Sequence, residues 1–155
     1  MGDAGKSAVS RMRCSEIMTR DVRTATREMT LRDVAVMMRD GDMGSVPVVE
    51  DGRLVGIVTD RDIVVRCVAD GRDTSTPVSE AMTTEIFSIK PENFAFEAVR
   101  LMGDKQVRRV AVVSEDGQLA GIISMADVAL ETEDELEIAE TLEEISSGSA
   151  FWSKK

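Results

Sequence analysis

Apolar and polar positions run through the same succession twice along this chain. Gly56-Ile57-Val58 leads into Thr59-Asp60-Arg61-Asp62, and Gly121-Ile122-Ile123 leads into Ser124-Met125-Ala126-Asp127. Each is a short apolar run, then a hydroxyl, then a carboxylate three residues later. An offset of sixty-five residues carries one onto the other. Upstream of the first, Leu31, Val34, Ala35, Met37 and Met38 recur at helical spacing, which predicts an amphipathic helix. Thr30 serves as its N-cap and Gly41 as its stop. Ser15–Met18 reads as one helical turn and Asp21–Thr26 as a short strand. Two apolar runs, 44–49 and 54–58, flank Asp51-Gly52, a hairpin signal. Pro47 has no amide proton and belongs at an edge or early in its strand. Thr59 opens a second helix with Ile63, Val64 and Cys67, ended by Asp70-Gly71.

The succession then restarts. Val78-Ser79-Glu80-Ala81-Met82 repeats Cys14-Ser15-Glu16-Ile17-Met18. Ile86–Ile89 is the short strand and Phe94–Lys105 the helix. Arg108–Ser114 and Leu119–Ile123 form the hairpin around Asp116-Gly117, and Ser124 opens the closing helix. The offset is sixty-four residues as far as Val49/Val113 and sixty-five beyond, because the second turn holds one extra residue. Each repeat reads β-α-β-β-α, so the fold class is α/β (α+β). Two copies predict a pair packed by approximate two-fold symmetry, since solenoids need three or more. The expected organisation is an arm over 1–12, a first repeat over 13–73, a second over 74–131, and a tail over 132–155. In the tail, Ile138, Leu142 and Ile145 fall on one stripe of a helix over 131–146, with Glu elsewhere. It is read as a solvated helix packed on the body, with a partner-binding or dimer-stabilising helix as the alternative.

Composition narrows the function. The chain of 155 residues is 43% hydrophobic but only 3% aromatic, so its core is aliphatic and Met-rich. Its net charge is −10, with eight acidic and no basic residues between 131 and 144. The remainder holds 21 acidic against 19 basic residues, without the basic excess that a nucleic-acid surface needs. There is no His, which excludes Ser-His-Asp and Cys-His catalysis and His-containing metal sites. Cys14 and Cys67 suit reduced thiols in a cytoplasmic protein. No apolar run reaches membrane-spanning length. Gly5-Lys6-Ser7 ends like a phosphate-binding loop but lacks the preceding Gly of that motif, and reads as part of a disordered arm.

The two hydroxyl-x-x-Asp segments carry the chemistry. One reading is a capping box, in which Thr59 with Asp62, and Ser124 with Asp127, satisfy the free amides of a helix start. The other is a nucleotide cradle: the amides and dipole of a helix start suit phosphate, and a carboxylate accepts ribose hydroxyls. Its occurrence twice, each time after a matching hairpin, favours the cradle. Arg108 and Arg109 open a strand beside the second copy, and guanidinium forks suit phosphate. The same place in the first copy is Gly44-Ser45, so the two sites should differ in anion affinity, with Arg61 partly compensating.

These paired segments, preceded by Ser45-Val46-Pro47-Val48-Val49 and Arg109-Val110-Ala111-Val112-Val113, resemble cystathionine-β-synthase (CBS) domains. Two in tandem resemble a Bateman module over about residues 13–131. Thr59-Asp60-Arg61-Asp62-Ile63-Val64 is similar to stand-alone bacterial two-CBS proteins, hypoxic-response proteins among them. The resemblance implies two clefts between the repeats that take adenosine-containing ligands: AMP, ATP, NAD or S-adenosylmethionine. It implies that Asp62 and Asp127 hold ribose hydroxyls, that Thr59 and Ser124 contact ribose or phosphate, and that Thr24 and Ser88 lie near the base. Val46-Pro47 and Val110-Ala111 would wall the adenine, and Arg108 and Arg109 would meet phosphate. Ala111 stands where the first repeat has Pro. The resemblance also implies a disc-like homodimer, which methionine-rich helices would support.

The expected function is therefore a regulatory binding module, not an enzyme, with an adenine nucleotide as ligand and no catalytic cofactor or metal. Its output would pass through conformation, the dimer or an effector protein, away from nucleic acid and membrane. The alternative is a structural or interaction homodimer with degenerate clefts, whose aspartates only cap helices.

Overall fold

The computed structural model of the chain describes residues 11–131 and 135–147, without the side chains of 135–138 and 147. The Gly5-Lys6-Ser7 triplet, the rest of the arm to residue 10, Ile138's place on the tail stripe, and Phe151 and Trp152 lie outside that description. In chain order the elements are α1 (Cys14–Ile17), α2 (Leu31–Gly41), β1 (Ser45–Glu50), β2 (Arg53–Thr59), α3 (Asp60–Ile63), β3 (Ser88–Ile89), α4 (Ala95–Lys105), β4 (Arg109–Val113), β5 (Leu119–Ser124), α5 (Met125–Glu131) and α6 (Glu135–Ser147). This is the mixed α/β content expected. The chain forms two compact units. The first is Arg23–Ile86 with Gly117–Leu119, and the second comprises, among the described residues, those up to Val22, Phe87–Asp116 and those from Ala120 onward.

In the first unit, β1 and β2 pair antiparallel from Ser45↔Thr59 to Glu50↔Arg53. Asp51 and Gly52 turn the chain at φ 53° and 80°; both are left-handed, as a two-residue hairpin turn with the right twist requires. The ladder shifts between Val48 and Val49. Pro47 faces Ile57, whose amide donates instead to the Thr83 carbonyl at 2.9 Å. The pair is thus a non-hydrogen-bonded one, and the missing proline donor leaves no gap between β1 and β2. Val34, Val46, Val48 and Val58 are fully buried here, each contributing about 1.5–3 kcal/mol of apolar burial. A 3-10 turn, Val78–Glu80, closes this core with Val78 and Ala81 at 0% exposure.

In the second unit β3 runs parallel to β4, Ser88 opposite Ala111, and the sheet order is β3-β4-β5. Met102, Val110, Val112 and Ile123 form its centre. Helix α1 completes it: the Cys14 amide donates to the Asn93 carbonyl at 2.8 Å, and Thr19 and Ile122 exchange amide bonds of 2.8 and 3.0 Å. In the first unit, Thr83 and Ile57 exchange the equivalent pair at 2.8 and 2.9 Å. Each hairpin is therefore finished by the helical turn that opens the other sequence copy.

These close approaches explain two glycines of the repeated motif. A Cβ on Gly121 would lie 2.6 Å from the Thr19 carbonyl oxygen and 2.8 Å from the Met18 sulfur. A Cβ on Gly56 would lie 2.6 Å from the Met82 sulfur and 3.2 Å from the Thr83 oxygen.

Several local expectations change. The strand over Asp21–Thr26 reduces to Ala25, which bridges Val48; it is the one buried residue of a polar run. The strand over Ile86–Ile89 shortens to Ser88–Ile89. Helix α2 ends at Gly41, but the left-handed cap is Asp42, at φ 50°. The helix opened by Thr59 is α only to Ile63, then a π segment, Val64–Val68; consecutive β-branched residues weaken the α form. The tail helix is present as α6, and Ile145 is buried against α4 and α5 residues. The described methionines are all buried or half-buried, so the large exposed apolar helical side chains among the described residues are Val64, Val65, Val68, Leu130 and Leu142 instead.

Candidate nucleotide site

The first unit holds Thr24, Val46, Pro47, Thr59, Arg61 and Asp62. Thr59 Oγ1 accepts from the Asp62 amide at 3.0 Å, and Asp62 Oδ2 accepts from the Thr59 amide at 3.0 Å. The other Asp62 oxygen lies 3.9 Å from an Arg66 guanidinium nitrogen. Arg66 also donates to the carbonyls of Ala81 and Met82 at 3.0 and 3.1 Å. Sequence reasoning passed over Arg66 because its partners are backbone carbonyls fifteen and sixteen residues away. The Asp60 amide donates to the Gly44 carbonyl at 2.9 Å, tying the motif to the head of β1. A Cβ on Gly44 would sit 3.4 Å from an Asp60 carboxylate oxygen, so this corner is acidic. Val46 belongs to the buried core, whereas Pro47, next along the strand, is on the opposite face. Thr24 precedes the Ala25 bridge and is half-buried; Arg61 is exposed.

The second unit holds Ser88, Arg108, Arg109, Val110, Ala111, Ser124 and Asp127. Its box has the same form: Ser124 Oγ accepts from the Asp127 amide at 3.1 Å, and Asp127 Oδ2 accepts from the Ser124 amide at 3.0 Å. The Met125 amide donates to the Arg108 carbonyl at 2.9 Å. Both arginines are exposed. A cavity of about 490 Å³ brings together Arg108, Arg109 and Ser124 with Met125, Ala126, Ala129 and Leu142, a volume in the range of about 300–1,000 Å³ typical of small-ligand sites. Val110 is packed in the core, Ala111 lies on the other strand face, and Ser88 is exposed beside Ala111. Leu142 was read only as part of the tail stripe, and its place in this wall depends on how α6 docks.

Residues 14–68 and 78–133 match the CBS domain family. The chain is a CBS-domain protein. It is 41% identical over 115 residues to the CBS domain-containing protein YhcV of Bacillus subtilis, spanning 74% of this chain and 81% of the relative. Among solved structures it is similar to Hypoxic Response Protein I with two coordinated zinc ions, at 36% identity and TM-score 0.70, over 77% of this chain and 98% of that one. It is also similar to the CBS domain protein PAE2072 from Pyrobaculum aerophilum complexed with AMP, at 27% identity and TM-score 0.72, over 83% and 98%. CBS domains are in general regulatory, non-catalytic modules.

The two CBS repeats thus share a frame but not its charge. Where the second has Arg108 and Arg109 beside Met125, the first has Gly44 and Ser45 beside the Asp60 carboxylate. The boxes themselves do not distinguish a site from a cap. Thr30 and Asp33 make the same pair of bonds, at 3.1 and 3.4 Å, at the start of α2. Both cysteines are buried and free. Burial pushes the Cys14 thiol up to about 11, with the Glu97 carboxylate adding to the effect. Among the described residues no group of three acidic or cysteine side chains could hold a metal ion, and no helix is long and apolar enough to cross a membrane.

Proposed function

We propose that the chain is a regulatory module that binds an adenosine-containing nucleotide and reports it through conformation or a partner protein. The observation that carries this is the cavity beside the Ser124–Asp127 box, whose wall combines two exposed arginines and the Ser124 hydroxyl with Met125, Ala126, Ala129 and Leu142. In this reading Arg108 and Arg109 take the phosphate, Ser124 and Asp127 the ribose, and Ser88 and Ala111 lie near the base. Thr59, Asp62, Thr24 and Pro47 form the corresponding site of the first repeat, with Val46 and Val110 as support behind each wall. AMP bound by a relative of 27% identity supports the ligand class. The acidic corner at Asp60 makes the first site the weaker for a phosphate; NAD or ATP is the alternative ligand of the second. The reading includes a homodimer, no catalysis and a cytoplasmic setting, the last supported by the free cysteines.

The complete capping bonds of both boxes favour a second reading, in which the sites are degenerate and the aspartates only hold helix starts. Thermal unfolding with AMP, ADP, ATP and NAD separates the two. A ligand at about 100 times its dissociation constant stabilises by about 2.7 kcal/mol. Asp127→Asn keeps an acceptor for the Ser124 amide but loses the charge that faces a ribose. The nucleotide reading expects an adenine-dependent shift that Asp127→Asn and Arg109→Ala abolish with little change in ligand-free stability. No shift with any nucleotide would establish the capping reading.

A further inference from the structure

The cavity beside Arg108 and Arg109 has one wall that the repeated motif does not supply. Leu142 of α6 lines it with Ser124, Met125, Ala126 and Ala129. Its neighbours Thr141 and Ile145 are seated in the unit at 6% exposure, whereas Leu142 keeps 39%. The seat is a small-residue gap in α4: a Cβ on Gly103 would come within 2.6 Å of the Glu144 carboxylate and 3.7 Å of the Thr141 methyl. Gln106 Nε2 donates to the Glu144 carbonyl at 3.2 Å. Helix α6 is thus fastened along one edge and turns Leu142 to the cavity.

We propose that α6 is a ligand-contacting wall, and that Leu142 is the residue through which occupancy of the cavity fixes the acidic tail. This rests on the nucleotide reading above. A nucleotide with its phosphate on the arginines and its ribose on Ser124 lies against Leu142, Ala126 and Ala129, which line the same cavity. Such a ligand buries Leu142 only while α6 is docked, so docking raises affinity and the ligand holds α6 down by the same factor. The tail, with eight acidic residues between 131 and 144, becomes the element that a partner reads.

The test uses the full chain. Hydrogen exchange over residues 139–147 is followed with and without saturating AMP, and AMP titration calorimetry compares wild type with Leu142→Asp and Leu142→Met. AMP slows exchange across α6; Leu142→Asp, which places a carboxylate in the wall of the cavity that the arginines line, weakens AMP by about tenfold or more, within the usual span of coupling factors. Leu142→Met binds as wild type does. The exchange measurement needs no variant and decides the matter even where Leu142→Asp folds poorly. AMP binding with unchanged exchange in α6 overturns this inference and leaves the nucleotide reading standing. Absence of AMP, ADP, ATP and NAD binding to the wild-type chain overturns both.

Discussion

At the scale of single residues, Cys14 shows how burial sets chemistry. Its thiol is fully buried and pushed from an ordinary 9.0 up to about 11, first by burial and then by Glu97. The unfolded chain releases that proton above pH 9, while the folded chain keeps it until about 11. Stability is therefore highest below pH 9 and falls as pH rises through this window, by up to about 1.4 kcal/mol per unit. Chemical denaturation of wild type and Cys14→Ala between pH 8 and 11 checks this; parallel curves for the two would overturn it. The hydroxyl–carboxylate pairs and the adjacent arginines were legible in the sequence because their partners lie within a few residues. Arg66 and Leu142 were not, because each acts on a place set by tertiary packing.

Among elements, the hairpins were the most legible, since Asp51-Gly52 supplies the two left-handed residues the turn needs. The first strand of each repeat was overestimated. A strand defined by one or two ladder residues leaves almost no alternation to read, and only Ala25 of its run turned inward. The packing of α6 rests on Gly103 and a buried Thr141, small residues whose value appears only when two helices meet. Strand β5 yields a sharper expectation. A methyl on Gly121 meets a backbone oxygen, which cannot swing aside, whereas a methyl on Gly56 meets chiefly the flexible Met82 side chain. Gly121→Ala should cost about 1–3 kcal/mol, in the usual range for overpacking, and Gly56→Ala clearly less. Urea denaturation ranks them, and equal stability of Gly121→Ala and wild type would rule out the close-approach account.

For the whole molecule, repeat number, element order and family were legible because the duplication doubled every weak signal. The partition into packed units was not, since the offset between copies says nothing about which hairpin a helical turn completes. Association belongs to this scale as well. Val64, Val65 and Val68 are 56%, 54% and 63% exposed on one short segment, and a buried valine is worth about 1.5–3 kcal/mol. We propose this exposed apolar face as the interface of the homodimer. The double variant Val65→Glu/Val68→Glu should fold normally and fall from twice the chain mass to once in light scattering; an unchanged mass would remove this face from the interface.

The helical turns that open the two copies have a consequence for descent. Each hairpin leans on the leader of the other copy, through Thr19 in one case and Thr83 in the other. Neither half can be lost, shuffled into another gene or left to decay without stripping its sibling. Once duplicated, the halves become heritable only as a couple, free to diverge in charge at Gly44 and Arg108 but not in the joinery that binds their fates.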